Sequence, residues 1–244
     1  MMYDCMLRLA DMNIGDRYRF PYFYKFAGVY LIDEGEAQFQ VEVTDEELEK
    51  EKDLFPEFHE DYIESLCIYR KMAEILPDYG RMVFHGAVIT CEGRGYLFTA
   101  PSGTGKSTHI RQWRKYLGDK VDIVNGDKPI LAVCEDETGV HIRAYGTPWA
   151  GKERWQKNHS AEVEGICFLK QGEKNTIRRL EPGECLYPIM HQVYLPSGEE
   201  ETGLTLELLD KVISHVPFYS MECDISKEAV KCSYEAMTGS TFEE

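Results

Sequence analysis

The sequence predicts an α/β fold in which helices flank a mixed, twisted sheet, preceded by a smaller α+β region. Short apolar runs at 96–98 and 121–124 are typical of buried strands. Between them, Ile110, Trp113 and Leu117 recur at the spacing of one helix face. A glycine-rich loop joins the first of these strands to that helix, and this order of elements indicates an α/β unit.

Residues 1–80 form the predicted α+β region. Segments 29–32 and 37–41 alternate in places between apolar and polar residues, so we expect short strands in a small sheet. Residues 45–77 carry apolar residues at helical spacing, and Pro56 divides them into two helices, because proline disrupts a helix interior.

The second predicted region spans residues 81–244 and holds the main sheet. Besides the two runs above, its apolar segments predict strands at 83–89, 130–133, 140–144, 163–169, 176–180 and 218–223, the last as an edge strand. Its helical patterns predict helices that begin at Pro182, that cover 204–216, and that run from a cap at Asp224 to Met237.

Composition excludes several classes of protein. The 43% apolar content supports a folded core, and the net charge of −16 disfavours a nucleic-acid-binding protein. Since no apolar run approaches the ~20 residues that span a bilayer, and the N-terminus is too polar for a secretory signal, we expect a cytoplasmic protein without membrane contact. The eight cysteines form no Cys-x-x-Cys pair, which favours free thiols over structural zinc.

The most informative segment is Ala-Pro-Ser-Gly-Thr-Gly-Lys-Ser-Thr at 100–108. Its glycines allow turns in which backbone N–H groups converge on phosphate oxygens at a helix N-terminus. This predicts a phosphate-binding loop for ATP or GTP, in which Lys106 reaches the terminal phosphates and Ser107 holds Mg²⁺. The predicted nucleotide-binding residues are Ser102, Gly103, Thr104, Gly105, Lys106, Ser107 and Thr108. The alternative is an ordinary glycine turn before a helix.

One position departs from the usual loop pattern. Ala100 stands where glycine is usual, and alanine fits there provided that the position needs no positive φ.

The loop also needs an acidic partner for its metal. Asp127 follows the apolar run 121–124 and comes 20 residues after Ser107. Carboxylates at the ends of such strands face the ligand site of α/β sheets, so we predict that Ser107 and Asp127 bind Mg²⁺. The alternative is an aspartate that caps a turn.

The stretch from His85-Gly86 through the loop to Asn125-Gly126-Asp127-Lys128-Pro129 resembles the HPr kinase and phosphoenolpyruvate carboxykinase superfamily. It resembles more closely the small HPr-kinase-related proteins, whose Gly-Thr-Pro-Trp-x-Gly-Lys-Glu segment is similar to 146–153. The resemblance covers roughly 82–195. It implies a second region like the C-terminal domain of that superfamily, with ATP or GTP and Mg²⁺ as cofactors.

The resemblance also implies roles for single residues. Lys106 and Ser107 match the phosphate lysine and the metal hydroxyl, Asp127 matches a metal-binding acid, and His85 matches a histidine near that site. The superfamily's kinases carry a further acid, the expected base, where this chain has Gly126. Three alternatives follow: Asp127 both binds the metal and accepts the proton, His85 accepts the proton, or nucleotide binds without phosphoryl transfer.

Lys152, in the Gly-Thr-Pro-Trp segment, is a candidate for added positive charge at the phosphates, and a surface turn is the alternative. The predicted catalytic residues are Asp127, His85, Lys106 and Lys152.

The predicted function is therefore an ATP- or GTP-dependent kinase for a hydroxyl group, in a protein, a peptide or a small metabolite. A nucleotide-binding regulatory or peptide-binding module without turnover is the alternative, and Gly126 favours it. A carboxykinase is disfavoured, because the chain is short and lacks a cluster of arginines for a dicarboxylate. The sequence leaves open the acceptor, the choice between ATP and GTP, and a homo-oligomeric state.

Overall fold

The computed structural model describes residues 2–243, and its N-terminal part forms a four-stranded sheet. The strands, in spatial order β3-β1-β2-β4, are β1 (Tyr3–Leu9), β2 (Met12–Tyr18), β3 (Leu31–Ile32) and β4 (Phe39–Glu42). Ala10 and Asp11 join β1 to β2 with φ of +50° and +60°. Such a pair of positive φ values is typical of a tight hairpin turn, and it lacks the glycine or asparagine that marks such turns in a sequence.

Two parts of this region differ from the prediction. Helix α1 (Tyr22–Ala27) was not predicted, and residues 28–30 form a 3₁₀ turn where we expected a strand. The reason is tertiary packing: Tyr30 is fully buried and its hydroxyl donates a hydrogen bond to the Lys157 carbonyl at 3.1 Å.

The two predicted helices on either side of Pro56 are present as α2 (Asp45–Leu54) and α3 (Glu60–Ile75). Thr44 caps α2 in a capping box with Glu47, which satisfies free N–H groups of the first turn. One buried face of α3, which includes Ile68 and Met72, packs on the N-terminal sheet.

The main sheet has nine strands and is mixed, as predicted. They are β5 (Arg81–Val83), β6 (Ala87–Cys91), β7 (Arg94–Thr99), β8 (Val121–Asn125), β9 (Ile130–Asp136), β10 (Gly139–Tyr145), β11 (Ser160–Gln171), β12 (Thr176–Arg179) and β13 (Phe218–Cys223). The order is β5-β9-β10-β11-β7-β6-β8, and β13 pairs with β11 and β12. Strand β11 runs parallel to β7 and β13, and the other pairs of this sheet are antiparallel.

Helices cover both faces of this sheet. They are α4 (Lys106–Leu117), α5 (Pro182–Met190), α6 (Glu199–His215) and α7 (Lys227–Thr238). Trp113 of α4 and Tyr234 of α7 pack with Phe98, whereas Leu209 of α6 packs with Leu97. Since neighbouring strand residues point to opposite faces, α4 and α7 lie on one face and α5 and α6 on the other.

Three predicted elements were wrong in detail. The single strand at 83–89 is two strands, β5 and β6, because the Gly86 N–H donates to the Asp127 carbonyl at 2.9 Å and the chain leaves β9 there. Strand β13 is not an edge strand, since it pairs on both sides. The N-cap of α7 is Ser226, and the Asp224 carboxylate accepts its N–H.

The boundary drawn at residue 80 stays a prediction. One hydrophobic cluster contains Ile14 and Ile68 from before it and Val83, Ile130 and Tyr145 from beyond it. The apolar core is therefore continuous across that boundary.

None of the eight cysteines takes part in a disulfide bond within residues 2–243. Among residues 2–243, no helix combines the length and apolar character that crossing a bilayer requires.

Candidate active site

The glycine loop lies between β7, which ends at Thr99, and α4, which begins at Lys106. Gly103 and Gly105 have φ of +82° and +113°, in the region that favours glycine. Ala100 is not among the residues with positive φ, so it meets the condition that the sequence set for alanine at this position.

The first turn of α4 is free of side-chain caps. Its N-cap, Gly105, has no side chain to accept the first N–H groups, and the turn contains no acidic residue. These amides and the positive end of the helix dipole therefore remain available to an anion.

His85 lies between Lys106 and Asp127 and contacts both. Lys106 Nζ is 3.0 Å from His85 Nε2, and His85 Nε2 is 3.4 Å from Asp127 Oδ1. Lys106 Nζ also donates to the Ala100 carbonyl at 2.9 Å. The structure thus brings together three of the four predicted catalytic residues, which are up to 42 positions apart in the chain (127 − 85).

Hydrogen bonds fix the position of His85. Its N–H donates to the carbonyl of Gln192 at 2.6 Å, and its own carbonyl accepts from the Thr99 hydroxyl at 2.7 Å. The sequence did not point to Thr99 or Gln192, because their contacts join β7 to a loop that follows it by more than 90 residues.

Asp127 is held in place by its neighbours in the chain. Asn125 Oδ1 accepts the N–H groups of Asp127 and Lys128 at 2.9 and 2.8 Å. Asn125 Nδ2 in turn donates to the Thr147 carbonyl at 3.0 Å, which links the end of β8 to the Gly-Thr-Pro-Trp segment. Sequence analysis missed Asn125 as a positioning residue, although its place at the end of an apolar run is a usable signal.

Asp127 is ionised at neutral pH. Burial raises the pKa of its carboxyl, but the hydrogen bond with His85 and the positive charge of Lys128, 2.8 Å away, outweigh burial and lower the pKa to about 2. The pKa of Lys106 is lowered by burial, and the charge of Asp127 opposes that shift.

The segment 146–153 folds against Asp127 and excludes a side chain at Gly126. A Cβ on Gly126 would lie 2.8 Å from the carbonyl oxygen of Ala150, and a Cβ on Gly151 would lie 3.1 Å from the Cβ of Asp127. The glycine at 126 is therefore required by close backbone approach, and no acidic side chain fits there without movement of this segment.

Lys152, the fourth predicted catalytic residue, is exposed. It lines a cavity of about 540 Å³ whose wall includes Asp127. Trp149 of the same segment turns towards the N-terminal region, where its Nε1 donates to the Ser65 carbonyl at 3.0 Å.

Two further cavities flank the glycine loop. Ser102, Gly103 and Thr104 line one of about 680 Å³ together with Tyr187 and His191. Gly105 and Thr108 line another of about 380 Å³. Predicted nucleotide-binding residues thus border open space on two sides of the loop.

The metal prediction rests on Ser107 and Asp127 alone. Ser107 is the second residue of α4 and is half-buried. Within residues 2–243 there is no cluster of three or more His, Cys, Asp or Glu side chains that could hold a metal ion. A cation here would need ligands from a bound phosphate or water, which is how Mg²⁺ is usually held beside nucleotides.

The chain belongs to the ScmC family: residues 62–228 match the family model described as SynChlorMet cassette protein ScmC. That description states no activity. The match begins within α3, so it includes the helix that contacts Trp149.

No curated protein matches the chain significantly. Among solved structures, it is similar to the HPr(Ser) kinase/phosphatase from Coxiella burnetii, at 12% identity and a TM-score of 0.34 over 64% of this chain and 93% of that chain. A similarity at this level does not decide fold family or activity.

Proposed function

We propose that this protein is an ATP- or GTP-dependent phosphotransferase that phosphorylates a hydroxyl group. The observation that carries the proposal is the contact of Lys106, His85 and Asp127 beside a glycine loop and an uncapped helix N-terminus. A lysine and an ionised carboxylate at such a loop are groups that phosphoryl transfer uses, and a histidine is a common general base.

In this proposal, the loop amides and Lys106 hold the phosphates. Ser107 and Asp127 hold Mg²⁺, and the low pKa of Asp127, about 2, keeps it a carboxylate at neutral pH. Mg²⁺, when bound, neutralises charge on the phosphate oxygens. Lys152, on the cavity wall with Asp127, adds positive charge near the acceptor side.

His85 is the better candidate for the base. A carboxyl with a pKa of about 2 is a weak proton acceptor. The acceptor oxygen would bond to the γ-phosphorus while the bond to the β–γ bridging oxygen breaks. The hydroxyl proton would pass to Nε2 of the His85 tautomer that carries its proton on Nδ1, with Lys106 Nζ turned from that nitrogen to the phosphates. Asp127, 3.4 Å from that nitrogen, would stabilise the resulting imidazolium.

Calorimetric titration tests the nucleotide step. We expect the wild type to bind MgATP or MgGTP, and Lys106→Ala to bind at least about tenfold more weakly, because the ammonium contact is lost. Lys115→Ala, on the exposed side of α4, is the matched control and should bind like the wild type. No magnesium-dependent binding of either nucleotide to the wild type would refute the proposal.

Label transfer tests the chemical step. With γ-labelled nucleotide and a panel of hydroxyl compounds, or water as the default acceptor, we expect slow label release or transfer that His85→Asn reduces by about 10²-fold or more. Nucleotide affinity of His85→Asn should change far less than the rate.

A nucleotide-binding module without turnover is the second candidate. The close approach of Gly126 to Ala150 favours it, since this leaves no room for an acid at the position of the expected base. Binding that depends on Lys106, with no label moved to any acceptor or to water, would support this candidate over the kinase.

A further inference from the structure

The 540 Å³ cavity beside Asp127 lies between the N-terminal region and the segment 146–154. Its volume is in the range of small-molecule sites. Asp127, which lines the cavity, is 3.4 Å from His85 Nε2, and the same nitrogen is 3.0 Å from Lys106 Nζ. A molecule in this cavity would therefore lie next to the proposed phosphoryl-transfer site, and it would contact none of the residues that line the two cavities at the loop.

Aromatic rings form much of the cavity wall. Tyr22 and Phe26 come from α1, Tyr62 and Tyr69 from α3, and Trp149 from the opposite side. The Tyr22 and Tyr62 rings meet edge to face at 6.2 Å, and those of Tyr69 and Trp149 lie 5.3 Å apart. All five side chains are half-buried, so each ring keeps a free surface for a flat or apolar ligand group.

Contacts on the side away from the cavity hold Trp149 in place. Trp149 stacks on the buried ring of Phe23 at 5.5 Å, and its Nε1 is hydrogen-bonded to the Ser65 carbonyl. The aromatic surface is thus preorganised and would lose little conformational entropy when a ligand binds.

Three tyrosine hydroxyls of this wall are free to bind a ligand oxygen. Within residues 2–243, those of Tyr22, Tyr62 and Tyr69 make no hydrogen bond. Burial raises the pKa of Tyr62 and Tyr69, and the negative charge of Asp127 adds to the shift. Both hydroxyls therefore keep their protons and can donate.

The cavity also carries unpaired positive charge. Lys128, Arg111 and Lys157 pair with nearby acids, whereas within residues 2–243 the side chains of Lys152 and Arg154 pair with none. In a chain with 43 acidic and 27 basic residues, two unpaired cations at one cavity indicate an anionic ligand.

We propose that α1 and α3 of the N-terminal region form the acceptor pocket, and that the acceptor joins an aromatic group and a negative charge to its hydroxyl. The ring would lie on the aromatic wall, the anion at Lys152 and Arg154, and the hydroxyl at His85 and Asp127. The transfer step rests on the proposed kinase function, whereas binding in the cavity does not.

Tryptophan fluorescence tests the binding with three probes. Acetyl-seryl-phenylalanine has hydroxyl, ring and carboxylate; acetyl-seryl-alanine lacks the ring, and acetyl-seryl-phenylalanine amide lacks the charge. We expect a saturable change with the first, and at least about tenfold weaker binding of the other two. Trp149→Phe should lose the fluorescence change, and calorimetry should show weaker binding of the first probe, because the ring at 149 no longer donates to the Ser65 carbonyl.

Protein variants test the location of the site. Tyr62→Ala and Arg154→Gln should each weaken binding of the first probe by about fivefold or more. Tyr24→Ala and Arg114→Gln, in exposed positions outside the cavity, are the matched controls. Because Arg154 is exposed, its variant should fold even if Tyr62→Ala does not.

The outcome separates the two proposals. Two results would overturn the acceptor pocket. One is equal affinity for the probes with and without the ring, and the other is an unchanged affinity for the first probe in both Tyr62→Ala and Arg154→Gln. A failed nucleotide titration of the wild type, with probe binding intact, would overturn the kinase alone.

Discussion

Gly126 and Ala150 show how a single backbone contact limits the chemistry of the site. The space for a side chain at 126 is occupied by the Ala150 carbonyl oxygen, 2.8 Å from where a Cβ would lie. In the proposed kinase the proton acceptor would therefore come from elsewhere, and His85 is the candidate because it contacts both Asp127 and Lys106.

We expect Gly126→Asp to displace the segment 146–153 and not to supply a base. The substitution should lower the free energy of unfolding by about 1–3 kcal/mol, as measured by urea denaturation. Gly183→Ala is the control, because nothing lies within 4 Å of a Cβ there. A Gly126→Asp variant with full stability and faster phosphoryl transfer would contradict this expectation.

A second feature at the residue scale is the buried carboxyl group of Asp16. Its side chain is buried and both carboxylate oxygens lack a hydrogen-bond partner. Burial, followed by the charge of Glu64 from α3, raises its pKa to about 8. Cys5 of β1 and Tyr18 of β2 also face it.

Asp16 should make the protein less stable as pH rises. Between pH 3.8 and about 8 the folded state keeps a proton that the unfolded chain releases, so stability falls across that window. Asp16→Asn should remove this loss and stabilise the protein at pH 8 by on the order of a few kcal/mol. Equal pH profiles of urea unfolding for variant and wild type would show that the carboxyl ionises freely.

At the scale of elements, α4 is fixed to α7 by a buried polar group. Trp113 Nε1 donates to Ser233 Oγ at 2.9 Å, and His109 Nε2 lies 3.1 Å from the same oxygen. Because the glycine loop leads directly into α4, this contact also sets where Lys106 stands.

His109 should make the protein sensitive to acid. Burial lowers its pKa from 6.5 to about 4, so the unfolded chain binds more protons in that window. Its contribution to stability is full above pH 6.5 and is lost as pH falls towards 4. In urea unfolding between pH 7.5 and 4, the free energy of unfolding of His109→Gln should fall less than that of the wild type. His191→Gln, at an exposed position, is the control and should behave like the wild type.

At the scale of the whole molecule, the N-terminal region and the main sheet share one core. Val83, Ile130 and Tyr145 lie in the same cluster as Ile14 and Ile68. The candidate acceptor pocket also needs both parts, since α1 and α3 form one wall and the segment 146–154 the other.

We therefore expect residues 81–244 alone to be less stable than the full chain. Removing the first 80 residues exposes the apolar side of β5 and β9, and the fragment should bind a hydrophobic dye and melt at least about 10 °C lower. The full chain should unfold in a single calorimetric transition. A fragment with the melting temperature of the full chain would show that the two parts are independent.

The sequence alone determined the features that depend on a few neighbouring residues. The glycine loop before α4, the break at Pro56 and the run that became β8 were predictable, because φ limits, caps and local periodicity act over less than about ten residues. It also singled out Lys106 from the glycine loop and Asp127 from its place after an apolar run, and His85 on a resemblance that names residue types and not distances.

Only the tertiary structure decided how distant parts meet. The division of 83–89 into two strands, the contact of His85 with Lys106, the exclusion of a side chain at Gly126 and the aromatic wall from α1 and α3 all depend on pairings between remote segments. Such pairings follow from burying the whole apolar surface at once, which no local pattern encodes.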